Sequence, residues 1–127
     1  MEYGHTRQIP LAFAEAVEKT IDELGKKGFG ILTEIDVKGT LKEKINAEFD
    51  NYIILGACNP PLAHKALLAE REIGLLLPCN VIVYEKEGKV LVSAIMPSVA
   101  MSVANNTELA AIAGEAEEKL KAAVNNI

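Results

Sequence analysis

The chain reads as an α+β domain: a mainly antiparallel sheet of about five strands packed against an N-terminal and a C-terminal helix, with a helical insertion before a central hairpin. Three observations predict this. Apolar residues recur at helical spacing near both ends, at Phe13, Val17, Ile21 and Leu24 and again at Leu109, Ile112, Ala116, Leu120 and Val124. Two β-rich runs, 81–84 and 90–96, are joined by the charged loop Glu85-Lys86-Glu87-Gly88-Lys89, with a glycine late in it, as in a hairpin. Between the first helix and that hairpin, Tyr52 to Cys58 is apolar at almost every position, as expected of a strand at the sheet centre or covered on both faces.

In chain order, residues 3–9 are polar and partly β-branched and fit a first strand at an edge. Pro10 suits the first turn of the helix that follows, and Gly25 suits its left-handed stop. Glu15, Glu18, Lys19, Asp22 and Glu23 then form its wet face. After the break Gly28-Phe29-Gly30, the residues Ile31, Thr33, Ile35 and Val37 alternate with Leu32, Glu34 and Asp36, predicting a strand with one apolar face. Thr40 and Glu43 have capping-box spacing and start a short surface helix with Leu41 and Ile45 one turn apart. Gly56, inside the apolar strand, marks a bulge or a close backbone approach. Asn59 is a good N-cap and Pro60 an ideal first helical residue, so a helix runs through 62–72 to Gly74. The apolar link Leu75-Leu76-Leu77-Pro78 is expected to be buried, against the protein itself or against a second copy. Pro97 ends the last strand, 98–104 forms a turn or one helical turn, and Asn105-Asn106-Thr107 offers caps for the final helix.

With 127 residues and half of them apolar, the chain is expected to form one domain, 1–127. The net charge is −5 and its 13 Lys and Arg residues are scattered, which argues against nucleic acid as a partner. Its apolar runs are shorter than the ~20 residues a membrane helix needs, and the N-terminus lacks a signal-like apolar stretch. A cytoplasmic protein without a membrane partner is expected. In that compartment its two cysteines are read as free thiols, soft ligands or a transient redox couple rather than a structural disulfide.

Both cysteines lie in a Cys-Asn pair beside a proline, as Cys58-Asn59-Pro60 and Pro78-Cys79-Asn80. Together with Gly56, Leu77, Val81, the charged hairpin with Gly88, and Pro97, they resemble the family known as domain of unknown function 302. The resemblance covers nearly the whole chain. It implies a small α+β fold related to the TATA-binding-protein-like sheet-and-helix class, decorated by the helix between the two Cys-Asn elements and often dimeric. It implies no activity, and the related sheet class carries no message about DNA.

The candidate ligand-binding set is Cys58, Asn59, Pro78, Cys79 and Asn80. Cys58 sits just before a helix start, where a thiolate is favoured, although cysteine often serves as a small buried hydrophobe. If the strands ending at Cys58 and starting at Cys79 are antiparallel, the two thiols share one edge of the sheet. If the intervening helix is a crossover, they lie about 15 to 20 Å apart. His64 is a weak third candidate with Cys58 and Cys79 for zinc or copper, since the spacing matches no known ligand pattern. No phosphate loop, nucleophile elbow or dinucleotide fingerprint is present, so no cofactor is indicated. The reading is a homodimeric ligand-binding or accessory module, with a thiol-based redox protein or a soft-metal protein as alternatives.

Overall fold

The computed structural model describes residues 2–127. A five-stranded antiparallel sheet has the order β1-β5-β4-β3-β2, with β1 at Gly4–Ile9, β2 at Gly30–Asp36, β3 at Tyr52–Cys58, β4 at Cys79–Lys86 and β5 at Lys89–Ile95. Thus β4 is the central strand and β3 lies one place from the edge. Along an antiparallel ladder alternate residues share a face. Leu55, Val81, Val83, Val92 and Ala94 fall on one face by register, and all are buried. Each buried valine or leucine of this kind contributes about 1.5–3 kcal/mol.

Two helices cover that face, α1 at Phe13–Lys26 and α5 at Thr107–Asn125, and both supply residues to the same core: Ala16 and Leu24 from α1, and Leu120, Ala123 and Val124 from α5. Arg7, from edge strand β1, donates to the carbonyls of Val124, Asn125 and Ile127. It thereby adds a side-chain donor to the carbonyls at and just beyond the C-terminal end of α5. The opposite face carries Tyr52 and Tyr84, stacked with centroids 5.4 Å apart, beside Ile54 and Ile82.

Several local expectations shift. Helix α1 starts at Phe13, after an extended Ala12, so Pro10 precedes the helix instead of sitting in its first turn. The helix runs past Gly25, and the positive backbone angle falls at Gly28, φ 87°. Phe13, Val17 and Ile21 are only half-buried, because the face turned inward is centred on Ala16, Thr20, Glu23 and Leu24. Glu23 is therefore 4% exposed and not on the wet face. Lys26 and Lys19 hold its carboxylate at 2.8 and 3.4 Å, and these bonds, Lys26 first, keep its pKa below the ordinary carboxylate value.

Strand β2 does not present one continuous apolar face. A register shift between Ile31 and Thr33 makes Leu32 the extra residue, so Ile31 pairs with Ala57 while Thr33 pairs with Gly56. Val37 is already helical, because α2 spans Val37–Ile45 and is capped by the Asp36 side chain on the Gly39 N–H. The Thr40–Glu43 box lies inside the helix and is not its cap.

Gly56 marks a close approach and not a bulge of its own strand. A Cβ there would collide with Thr33 Oγ1 and sit 2.8 Å from Pro78 Cγ. The hairpin loop tightens to two residues, Glu87 (φ 53°) and Gly88 (φ 78°), both positive as a type I′ turn requires.

Gly56→Ala is expected to destabilise the fold by about 1–3 kcal/mol in urea unfolding. Combining it with Thr33→Ala should recover part of that loss, while Thr33→Ala alone stays near neutral. Equal losses in the single and double variants would show that Thr33 is not the obstructing group.

Candidate functional site

The segment between β3 and β4 builds the site. Asn59 ends β3 and caps α3, Pro60–Ala69: its Oδ1 accepts from the Leu62 N–H at 3.3 Å, and the Ala63 N–H donates to its carbonyl at 2.9 Å. The amide Nδ2 of Asn59 donates to the Lys27 carbonyl at 3.4 Å, which ties α3 to the turn after α1. Gly28 lies under that contact, since a Cβ on it would be 3.0 Å from Asn59 Nδ2. The helix stops at Ala69, earlier than its sequence pattern implies. A 3-10 segment, Arg71–Leu76, then returns the chain to the cis Leu77–Pro78 peptide and β4.

Because β3 and β4 are antiparallel, with Ala57 opposite Cys79, both cysteines lie at one end of the sheet. Cys58 pairs in register with Gly30 of β2, a residue with no side chain, and is half-buried. Cys79 is 8% exposed. Burial pushes its thiol pKa up from an ordinary 9.0 to about 11, with the neighbouring Cys58 adding to the rise.

At this end of the sheet α3 borders a half-open cavity of about 330 Å³, within the range of small-molecule sites. Its floor is Ala57, Cys58, Pro78 and Cys79. Leu62, Ala63, Ala66 and Leu67 of α3 form one wall, and Ile112, Ala113 and Ala116 of α5 form another. Phe29 and Leu32 close the β2 side. Met101, from the 3-10 turn Met101–Ala104 that follows the short helix α4, Pro97–Ala100, closes the other. Ser98 fastens α4 to α5 by donating its N–H and hydroxyl to the Glu117 carboxylate. Burial works against charge on Glu117, but the Ser98 bonds and Lys121 outweigh it and lower its pKa. Among the described residues no charged side chain lines the cavity.

Four of the five sequence candidates, Cys58, Asn59, Pro78 and Cys79, line this space. Asn80 does not. It pairs with Gly56 on the opposite face of the sheet and is exposed there, since the next residue along a strand points the other way. His64 is also exposed and outside the lining, because it lies on the solvent side of α3. Among the described residues no group of three His, Cys, Asp or Glu is placed to hold a metal ion. Met101 and the α5 wall escape sequence reading because they join the site across the fold. The small residues Ala113 and Ala116, beside Ile112 in the α5 stripe, are the trace they leave.

The N-terminus of α3 also differs from a thiolate-favouring helix end. Pro60 and Pro61 occupy its first turn and carry no N–H, and the N–H groups of Leu62 and Ala63 are both bonded to Asn59. No free N–H donor is left there to hold an anion.

The model of the family described as domain of unknown function DUF302 matches residues 5–127. The chain belongs to the DUF302 family. A crystal structure of an uncharacterized conserved DUF302 protein from Bacillus stearothermophilus is similar to this domain over 98% of both chains, with TM-score 0.93 and 27% identity. No match is found among curated proteins. Among the described residues of this DUF302 domain no helix is long and apolar enough to cross a membrane.

The raised Cys79 pKa gives a signed pH dependence. The unfolded thiol ionises near its ordinary value and the folded one near 11. The folded state thus holds the proton that the unfolded state loses, and stability falls as pH rises across that interval, by about 2–3 kcal/mol. Urea unfolding between pH 8 and 11 should show this fall, and Cys79→Ala should flatten it. In the same domain, iodoacetamide at pH 8 should label Cys58 and leave Cys79 unmodified until the protein unfolds.

Proposed function

We propose that this DUF302 domain is a homodimeric module that binds a small, largely uncharged molecule in the cavity at the ends of β3 and β4. The single observation that carries this reading is the cavity itself. It is preformed and of ligand size, and apart from the Asn59 amide its lining side chains are hydrocarbon and sulfur. Burying a charged group there would carry a large desolvation cost with nothing to offset it. In this reading the domain is cytoplasmic, a compartment that keeps both thiols reduced.

The alternatives have less support. A low-pKa nucleophile at Cys58 would draw on free N–H groups at the start of α3, and prolines and the Asn59 cap remove them. A zinc site calls for about four ligands, and the histidine nearest in sequence points away.

The homodimer rests on the exposed leucines of the α3 segment. Leu77 lines the cavity, yet Leu75 is 82% and Leu68 72% exposed, so the apolar link is not covered by its own chain. A second copy of the domain would remove this surface from water.

N-phenyl-1-naphthylamine, an uncharged fluorescent probe, is expected to bind saturably at one site per chain. Ala63→Phe or Ile112→Phe should weaken its binding about tenfold or more by filling the cavity, with the circular dichroism spectrum unchanged. Failure of the probe and of a panel of uncharged ligands to bind the wild-type domain would refute the reading. Light scattering at micromolar concentration should give a dimer that Leu68→Glu with Leu75→Glu converts to monomer. A monomeric wild type would contradict the dimer.

A further inference from the structure

We propose that a second copy of the domain closes the mouth of the cavity, so that dimerisation and ligand binding form one linked equilibrium. This rests on the cavity and dimer readings above and adds the partner that completes the site and the regulation that follows from it.

The rim of the cavity is built from residues that their own chain leaves uncovered. Leu32 of β2 and Leu67 of α3 both line the cavity, yet they are 66% and 40% exposed. Gly74 lines it too, and a Cβ there would sit 3.9 Å from Leu67 Cδ2, so the 3-10 segment meets α3 at the mouth. Leu75 and Leu76 follow Gly74 directly, Leu68 follows Leu67, and all three are exposed. The leucine surface therefore begins at the rim of the opening, and whatever covers one covers the other. Its five leucines expose on the order of 500 Å² per copy, against roughly 800 Å² per partner in a standard interface.

Charge selects the occupant. Lys65, Arg71 and Glu72 flank these leucines in the chain, are exposed, and form no ion pair with another described residue. A flank that carries both signs suits a second copy, because a two-fold axis sets the same patch against itself and lets each sign meet its opposite. An anionic membrane would also attract exposed leucines, but it favours a cationic flank, which a chain of net charge −5 with Glu72 beside the patch does not offer.

In such a dimer the leucines of one copy roof the opening of the other. A molecule bound to a separate chain keeps part of its apolar surface in water through the half-open mouth, and pairing removes that part from water. The ligand then strengthens the dimer by the same factor by which pairing strengthens the ligand.

N-phenyl-1-naphthylamine and the intact 127-residue protein test this. In analytical ultracentrifugation over a concentration series, saturating probe should lower the dimer dissociation constant about tenfold, within the roughly 5- to 150-fold span usual for linked sites. Conversely, monomeric Leu68→Glu with Leu75→Glu should bind the probe about tenfold more weakly with an unchanged circular dichroism spectrum, although neither residue lines the cavity. Ala63→Phe, which fills the cavity, should leave the unliganded dimer intact and remove the probe's effect on it. A dimer constant unmoved by bound probe, or equal probe affinity in the wild type and the double variant, would overturn the proposal while the cavity and dimer readings stand. A wild type that stays monomeric with and without probe sinks both the proposal and the dimer reading. If neither the probe nor any uncharged ligand binds, the proposal fails together with the cavity reading. Capture by phosphatidylcholine vesicles of a monomeric wild type, lost in the double variant, would assign the patch to a membrane and overturn the proposal as well.

Discussion

The antiparallel pairing of β3 with β4 is the constraint on which the rest of the molecule depends. Its register sets Ala57 opposite Cys79 and brings Gly56 against Asn80. It sets Pro78, as the β2–β3 register sets Thr33, where only a glycine fits at position 56. Once the two strands run in opposite directions, the chain between them must leave and re-enter at the same end of the sheet. The α3 excursion is the consequence, and the cavity lies beneath it. A side chain at position 56 would press on Thr33 and on Pro78, and Pro78 is part of the cavity floor.

The local chemistry follows from what that geometry excludes. The same Asn59 that caps α3 also anchors it to the turn after α1, so its amide is occupied on both sides. Two prolines at the start of α3 lower the number of N–H donors where many helices would hold an anion. The result is a space bounded by hydrocarbon and sulfur, between two core clusters, one under the sheet and one around Ala66, Ile73, Met101, Leu109 and Ala113. Such a space discriminates by shape and apolarity, and its thiols are the exception. They differ from each other because Cys79 lies within the core and Cys58 at its margin.

Much of this was legible in the residues. The β-rich runs 81–84 and 90–96 and the late glycine identify the central hairpin, because a two-residue turn with both φ angles positive favours glycine at its end. Asn59 followed by Pro60 marks the start of α3 through capping chemistry alone. Misplaced boundaries have physical causes. The β2 pattern was deceptive because one extra residue at Leu32 reverses the faces of everything before it. Glu23 read as solvent-facing because a charged side chain normally is, but two lysines on the same helix make its burial tolerable. The apolar link was expected to be covered by the protein itself or by a second copy, and its own chain leaves Leu75 82% exposed.

The sequence by itself determined the main strands and helices, the Asn59 cap, the position of the central hairpin, and that the two Cys-Asn pairs flank one helical insertion. These properties are set by local sterics, hydrogen bonding and periodicity, which act within a few residues. Tertiary structure alone decided that Cys58 and Cys79 share a cavity while Asn80 and His64 do not. It also decided that Met101 and Ile112, distant in the chain, complete its walls. Those outcomes turn on strand direction, on which face of a strand or helix a residue occupies, and on how far α3 stands from the sheet. All three are fixed by packing between segments distant in sequence, and no local pattern encodes them.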